Sequence, residues 1–316
     1  PLIPNYDMGN VGVFAMEKFT SGPLEIEAGL RYDYRKVSAS RFIQRNEIQE
    51  RDFIFNNFSA FLGAHYSFSP TVSFNTNLGS AWRPPNINEQ FSQGLHHGTA
   101  AIEIGNPDFI SEQALKWVNT LTITENRFSA ELTGYLHRIN NYIYLAPTPE
   151  QLVTLRGTFN VFEYRQHNAN LWGFDLSAAY EIHENLEWFT RSSIVRAKNV
   201  EDGTYLPFIP SDRIESGLTL KKAQIGSMTD NRLAIGSQWV AQQNREPLFD
   251  LAPPPPGYNI WNVRLNTILP VQKNRLHIGF TVNNVFNKAY KDYMNRFRYF
   301  THEMGRNVIL NINYKF

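Results

Sequence analysis

The most constraining feature of this sequence is a strict two-residue alternation in its last forty-odd positions. Leu276, Ile278, Phe280 and Val282 alternate with His277, Gly279, Thr281 and Asn283. After a polar, aromatic-rich excursion, Val308, Leu310, Ile312, Tyr314 and Phe316 stand opposite Asn307, Asn311, Asn313 and Lys315. A period of two means strands, because successive side chains of a strand point to opposite faces. One face is almost wholly apolar and the other is Asn, Thr, Gly and Lys. An edge hairpin of a soluble sandwich can look like this once; a membrane barrel, with lipid outside and a wet lumen inside, looks like this in every strand.

The alternation continues upstream. Leu24, Ile26, Ala28, Leu30, Tyr32 and Tyr34 oppose Glu25, Glu27, Arg31 and Asp33, so every charge falls on one face. Val72, Phe74, Leu78 and Trp82 oppose Ser73, Asn75, Asn77 and Gly79, and Trp172, Phe174, Leu176, Ala178, Tyr180 and Ile182 oppose Asp175, Ser177 and Glu181. Further strands are predicted near 9–19, 53–68, 115–123, 128–136, 186–199, 214–220, 233–239 and 261–269. Short turns at Thr20-Ser21-Gly22-Pro23, Ser69-Pro70, Glu125-Asn126, Glu184-Asn185 and Pro270–Lys273 alternate with long polar stretches. Loops are expected over Val37–Asp52, Arg83–Ser111, around Pro147-Thr148-Pro149 and through the proline run Pro253–Pro256, since proline cannot donate to a ladder. The pattern gives about thirteen strands with all the long loops at one end, the asymmetry of a bacterial outer-membrane barrel. Trp82, Trp117, Trp172, Trp188, Trp239 and Trp261 fall toward strand ends, where aromatic girdles meet headgroups.

Composition narrows the field by exclusion. A net charge of +1 gives no reason to expect nucleic acid as a partner. No run approaches the ~20 apolar residues of a helical span, which leaves strands as the only way across a bilayer. With Cys 0, disulfides and thiolate metal sites are ruled out. The P-loop, G-x-G-x-x-G, G-x-S-x-G and H-E-x-x-H patterns are missing, and the carboxylates are scattered, so an enzyme is not expected.

Three stretches carry a family resemblance. Ala81-Trp82-Arg83-Pro84-Pro85-Asn86-Ile87-Asn88-Glu89, followed by Gly105-Asn106-Pro107-Asp108-Phe109 and Glu112, resembles the mid-barrel signature of TonB-dependent outer-membrane receptors. Leu171-Trp172-Gly173-Phe174-Asp175 is similar to a second family segment, and Val282-Asn283-Asn284-Val285-Phe286-Asn287, Tyr290, Gly305-Arg306 and the terminal Phe316 are similar to its end. The family has roughly 22 strands around an N-terminal plug, so the resemblance makes this chain the C-terminal portion of a barrel, with the plug and the early strands outside it. It implies an all-β, antiparallel transmembrane barrel forming a single domain over residues 1–316. It further implies a receptor of the bacterial outer membrane that takes up a scarce nutrient, such as an iron–siderophore or other metal complex, without a resident cofactor. The implied partners are outer-membrane lipid and lipopolysaccharide, the TonB complex and plug, and the barrel-assembly machinery, which would read Phe316.

Candidate ligand-binding residues follow from side-chain chemistry. Arg83 and Glu89 bracket a Pro-Pro turn and are expected to face the lumen or to stiffen the loop. In Gln93-Gly94-Leu95-His96-His97-Gly98-Thr99, His96 and His97 sit on a Gly-flanked loop with Glu103 nearby, a donor set suited to zinc, copper, nickel or iron. The stretch resembles a receptor branch with zinc-uptake members; loop packing is the plainer reading. His137, His167 and His302 with Glu303 are further donors. The basic-aromatic segment 288–300, with Tyr293, Arg296 and Arg298, suits an anionic chelate or an interfacial loop. Two rivals remain at this point: a smaller self-contained barrel acting as a passive channel or hydrolase, and a soluble β-sandwich binding module. A partial barrel would expose two edges, so self-closure or pairing with a second copy is expected.

Overall fold

The computed structural model describes residues 3–42, 48–272 and 274–315. Phe316, the expected assembly signal, lies outside the described residues. The chain is all-β. Its first four strands are β1 (Asn5–Ser21), β2 (Leu24–Phe42), β3 (Ile48–Ser67) and β4 (Val72–Arg83). The long connection after β4 holds a short helix α1 (Ile87–Phe91) and two short strands, β5 (Gln93–His96) and β6 (Ala101–Ile104). Then come β7 (Glu112–Thr124), β8 (Phe128–Thr154), β9 (Gly157–His183) and β10 (Leu186–Asn199). The chain ends with β11 (Arg213–Ile225), β12 (Met228–Val240), β13 (Tyr258–Val271), β14 (Asn274–Asn283) and β15 (Asn307–Lys315).

Apart from β5 and β6, every strand pairs with its sequence neighbours in one antiparallel meander running from β1 to β15. Thirteen strands lie on that path, the number the alternation implies. The ends of the order, β1 and β15, do not pair with each other among the described residues, which leave the sheet open. No described helix is long and apolar enough to cross a membrane, which says nothing about strands.

The sheet is not backed by a second layer. Leu310, Ile312 and Tyr314 are exposed, and Phe58 keeps 78% of its surface open. A soluble sandwich buries one face of each sheet against the other; here the apolar face is bare from β1 to β15. Cross-strand pairing keeps that face in register: Leu78 stands opposite Trp117, Trp117 opposite Leu136, and Leu136 opposite Trp172. An apolar expanse of this extent needs a non-aqueous neighbour, and the strands between β1 and β15, paired on both sides, satisfy the hydrogen-bonding demand of hydrocarbon.

Two loop expectations are corrected. Outside residues 43–47, the stretch Val37–Asp52 is ladder, with Ser38 opposite Asp52 and Ser40 opposite Glu50. Likewise Pro147-Thr148-Pro149 lies within β8, where the register shifts between Pro147 and Gln151. Proline tolerates a strand at such a bulge because no ladder hydrogen bond is asked of it. Strands β8 and β9 each run 27 residues, ~90 Å at the usual rise. That is well over twice what a bilayer needs, so the hairpin projects far beyond any membrane.

Candidate functional site

The buried residues gather at the long-loop end. Phe91, Ala101, Ile102, Phe109, Ile143, Ala146, Val161, Phe162, Leu206 and Tyr293 are all buried there. The connection between β4 and β7 is therefore a folded element and not the open loop the sequence suggests. Its strand β6 lies parallel to the upper part of β9, from Ala101 opposite Asn160 to Ile104 opposite Glu163. A tight turn returns it to the wall: Gly105 N donates to Ser92 O at 2.7 Å and Asn106 N to Glu89 O at 3.0 Å. A Cβ on Gly105 would sit 2.6 Å from Glu89 O, so the turn closes only around a glycine.

Arg–carboxylate clasps hold this cap together. The first is Arg83, at the upper end of β4. Its Nε and Nη2 donate to Glu112 at 2.9 and 2.6 Å, and Nη1 donates to both Glu89 oxygens at 2.9 and 2.8 Å. Glu89 also accepts from Asn86 N at 2.7 Å and so caps α1. Glu112 accepts from Ile143 N at 2.7 Å, satisfying the backbone where β8 bulges. Arg83 and Glu89 thus serve the loop itself rather than standing free in the lumen.

The second clasp centres on Glu103, which is 3% exposed. Its Oε1 meets His96 Nδ1 at 2.9 Å and accepts from Arg296 Nη1 at 2.8 Å, joining residues 193 apart in sequence. The Arg296 guanidinium also lies 4.6 Å from the centre of the Phe162 ring. His97, on the 3-10 turn His97–Thr99, is directed elsewhere, with Nε2 3.2 Å from Arg156 Nη1. The expected trio His96, His97 and Glu103 therefore does not converge, and no group of three or more metal-binding side chains forms among the described residues. A guanidinium already holding the shared carboxylate oxygen also disfavours a cation there. His167 is placed apart from this pair, with Nδ1 2.9 Å from Tyr144 Oη.

The third clasp buries Arg298, itself 3% exposed, in the segment expected to bind an anionic chelate or to form an interfacial loop. Its Nη2 donates to Asp250 at 2.6 Å, and its guanidinium lies 4.5 Å from the centre of the Tyr293 ring and 4.4 Å from that of Tyr299. Tyr299 donates to the other Asp250 oxygen at 2.6 Å. Burial pushes the Tyr293 hydroxyl up to about 12, and burial followed by the bond to Asp250 raises Tyr299 as well. A fourth clasp joins Arg196 and Arg245 to Asp212 at 2.5 and 3.0 Å. Asp250, Asp212 and Asp292, which accepts from Tyr258 at 2.6 Å, escaped the sequence reading. Each meets its partner across 16 to 49 residues, and no local pattern announces that.

The cap keeps unused donors. Arg296 Nε and Nη2, Arg298 Nε and Arg245 Nε are buried without a hydrogen-bond partner among the described residues. On Arg296 the two free groups form one edge of the guanidinium, the fork that accepts a carboxylate or phosphate.

Comparison with known proteins gives the wider setting. A family model described as "TonB dependent receptor-like, beta-barrel" matches residues 2–285. TonB-dependent heme receptor A of Haemophilus ducreyi is 24% identical over 348 residues, covering 96% of this chain and 44% of that protein. Heme/hemopexin utilization protein C of Haemophilus influenzae is 23% identical over 289 residues, covering 85% of this chain and 38% of that protein. Among solved structures, copper transporter OprC aligns at a TM-score of 0.75 and 20% identity, over 96% of this chain and 48% of that one. The ferric yersiniabactin uptake receptor FyuA from Yersinia pestis aligns at 0.69 and 14% identity, over 98% and 46%. The likeness to these structures is one of fold, and the chain spans under half the length of the relatives it matches.

Proposed function

The chain belongs to the TonB-dependent receptor-like β-barrel family, and from that premise we propose that it forms lipid-facing wall and ligand-recognising cap of an outer-membrane uptake receptor. The nutrient we assign is an anionic iron chelate, with heme ahead of a siderophore. Two relatives bear heme in their names, and the siderophore reading draws on structures that are alike only in fold. In the full-length protein, a plug and the TonB complex would supply gating and energy. The residues 1–316 act as one barrel domain in this reading, and the barrel-assembly machinery and lipopolysaccharide are its expected company.

The observation that carries the proposal is the desolvated, half-used Arg296. Its Nη1 is committed to Glu103, while Nε and Nη2 are buried without partners beside Phe162. Leaving charged donors unsatisfied costs free energy, and a carboxylate-bearing ligand admitted by an opening of the cap would satisfy the fork. A bare metal ion as cargo is not favoured, because His97 turns away and Glu103 is shared with a cation.

The test is equilibrium binding of hemin, and separately of a ferric siderophore, to the detergent-solubilised full-length receptor and to Arg296→Gln. Loss of one charge-assisted pair predicts about ten-fold weaker hemin binding, or more. Hemin affinity equal in both proteins would remove the assignment of Arg296. Growth on hemin as sole iron source that persists without a functional TonB complex would remove the receptor reading itself.

A further inference from the structure

The outward face of the wall carries a basic row that nutrient uptake does not use. Cross-strand pairing sets Leu115, Arg138, Asn170 and Lys198 side by side across β7, β8, β9 and β10. Two residues nearer the short turns lies a greasy row: Leu78, Trp117, Leu136 and Trp172, ending in Arg196. Arg196 is taken up by both oxygens of Asp212, at 2.5 and 2.8 Å. Arg138 is different. It is exposed and has no hydrogen-bond or ion-pair partner among the described residues, and Lys198 makes only a ring contact, 4.9 Å from the centre of Tyr205.

Beneath the basic row the wall is grooved. Gly134 leaves a gap bordered by Trp117, Leu132, Leu136, Trp172 and Phe174. A Cβ there would already approach the Phe174 ring to 3.2 Å. Above the gap, a second hollow lined by Leu78, Leu115, Trp117, Leu136 and Trp172 opens onto Arg138 and Asn170. An apolar trough that opens onto an unpaired guanidinium and an amide, with Lys198 next along the row, is complementary to a molecule with a hydrocarbon tail and an anionic head.

We propose that this trough binds a phosphate-bearing lipid of the leaflet on the long-loop side. Its acyl chain lies over Gly134, its phosphate sits between Arg138 and Lys198, and the Asn170 amide donates a further hydrogen bond. The chemistry selects this occupant on two counts. A zwitterionic headgroup offers the two cations less net charge, and a soluble anion leaves the groove empty. A basic side chain near an anionic lipid surface contributes about 1 kcal/mol, or roughly five-fold in affinity. The proposal rests on the reading that the apolar face of the sheet meets lipid.

The experiment uses the full-length protein in detergent, titrated with bromine-labelled phosphatidylcholine or bromine-labelled phosphatidic acid, with tryptophan quenching as the readout. Quenching by both lipids, with phosphatidic acid binding more tightly, is expected for the wild type. Arg138→Gln and Lys198→Gln should each weaken the preference for phosphatidic acid about five-fold. Gly134→Val, which fills the trough and keeps both charges, should weaken phosphatidic acid binding also. Equal binding of the two lipids, or a preference that survives the double variant, would overturn the site. So would competition by glycerol phosphate as effective as by the chain-bearing lipid, because the groove would then play no part. If neither lipid quenches at all, the membrane-facing reading of the wall fails, an outcome distinct from loss of headgroup preference.

Discussion

The wall and the cap of this protein are built on opposite physical rules. In the wall, large apolar side chains such as Phe58, Leu62 and Leu310 face outward, and order comes from a ladder of neighbour-to-neighbour pairings. In the cap, apolar groups are buried and Glu89, Glu103, Glu112 and Arg298 are buried among them. The wall needs no core because its surroundings supply the apolar phase. The cap stands in water and must make its own interior, and it steadies that interior with ion pairs between distant segments. Buried pairs of this kind add little net stability, but breaking one strands a charge. The cap is therefore the more brittle of the two regions.

The largest expected effect is in the cap. Asp250→Ala leaves Arg298 buried beside two tyrosines with no counter-charge, which should cost about 3–5 kcal/mol. Hydrogen exchange would show it as lost protection confined to the segment 288–306 and its contacts, with the wall amides unchanged. Wall amides exchanging faster as well would mean that the two regions unfold as one, and the contrast drawn above would fail.

Next comes the wall. Leu132→Arg puts a charge on the outward face, beside Leu121 and Leu176, and should cost about 2–4 kcal/mol of folding into a bilayer. Leu152→Arg is the control. It lies near the tip of the same hairpin and is exposed, so it should shift stability by no more than ~0.5 kcal/mol. Similar costs at the two positions would show that the membrane boundary lies elsewhere along β8.

The smallest effect is a pH dependence peculiar to the cap. Tyr293 is raised from 10.0 to about 12 by burial, with Tyr299 shifted the same way by burial and Asp250. Because the folded pKa lies above the unfolded one, the neutral hydroxyls support the cap fully below pH 10 and lose that support as pH rises through about 12. Exchange or tyrosine fluorescence between pH 9 and 12 should show the cap loosening first. Tyr293→Phe should narrow that window, and an unchanged profile would remove Tyr293 as its source.

These two rule sets also explain what could be read from the sequence. The wall is periodic because each strand sees lipid on one side and water on the other, so Leu24–Tyr34 and Trp172–Ile182 declare their faces residue by residue. Above the membrane both sides are wet. The alternation fades while the ladder continues, and that is why Val37–Asp52 and Pro147–Pro149 resemble loops. His96 and His97 were visible as a pair, yet the turn between them sends one to Glu103 and the other to Arg156. The segment with Arg296 and Arg298 reads by composition as a binding or interfacial loop; only the approach of Glu103 and Asp250, far away in sequence, makes it interior.

Strand β9 passes without interruption from the short-turn side, through the wall, to the stretch where β6 joins it. A hydrogen-bonded strand resists stretching, so whatever inclines the lower half carries the upper half along. In a closed barrel the number of strands and their stagger fix how steeply such strands lean. The stretch of β9 that carries β6 is therefore aimed by the geometry of the wall below it, so the cap takes its bearing from the ladder rather than from its own loops.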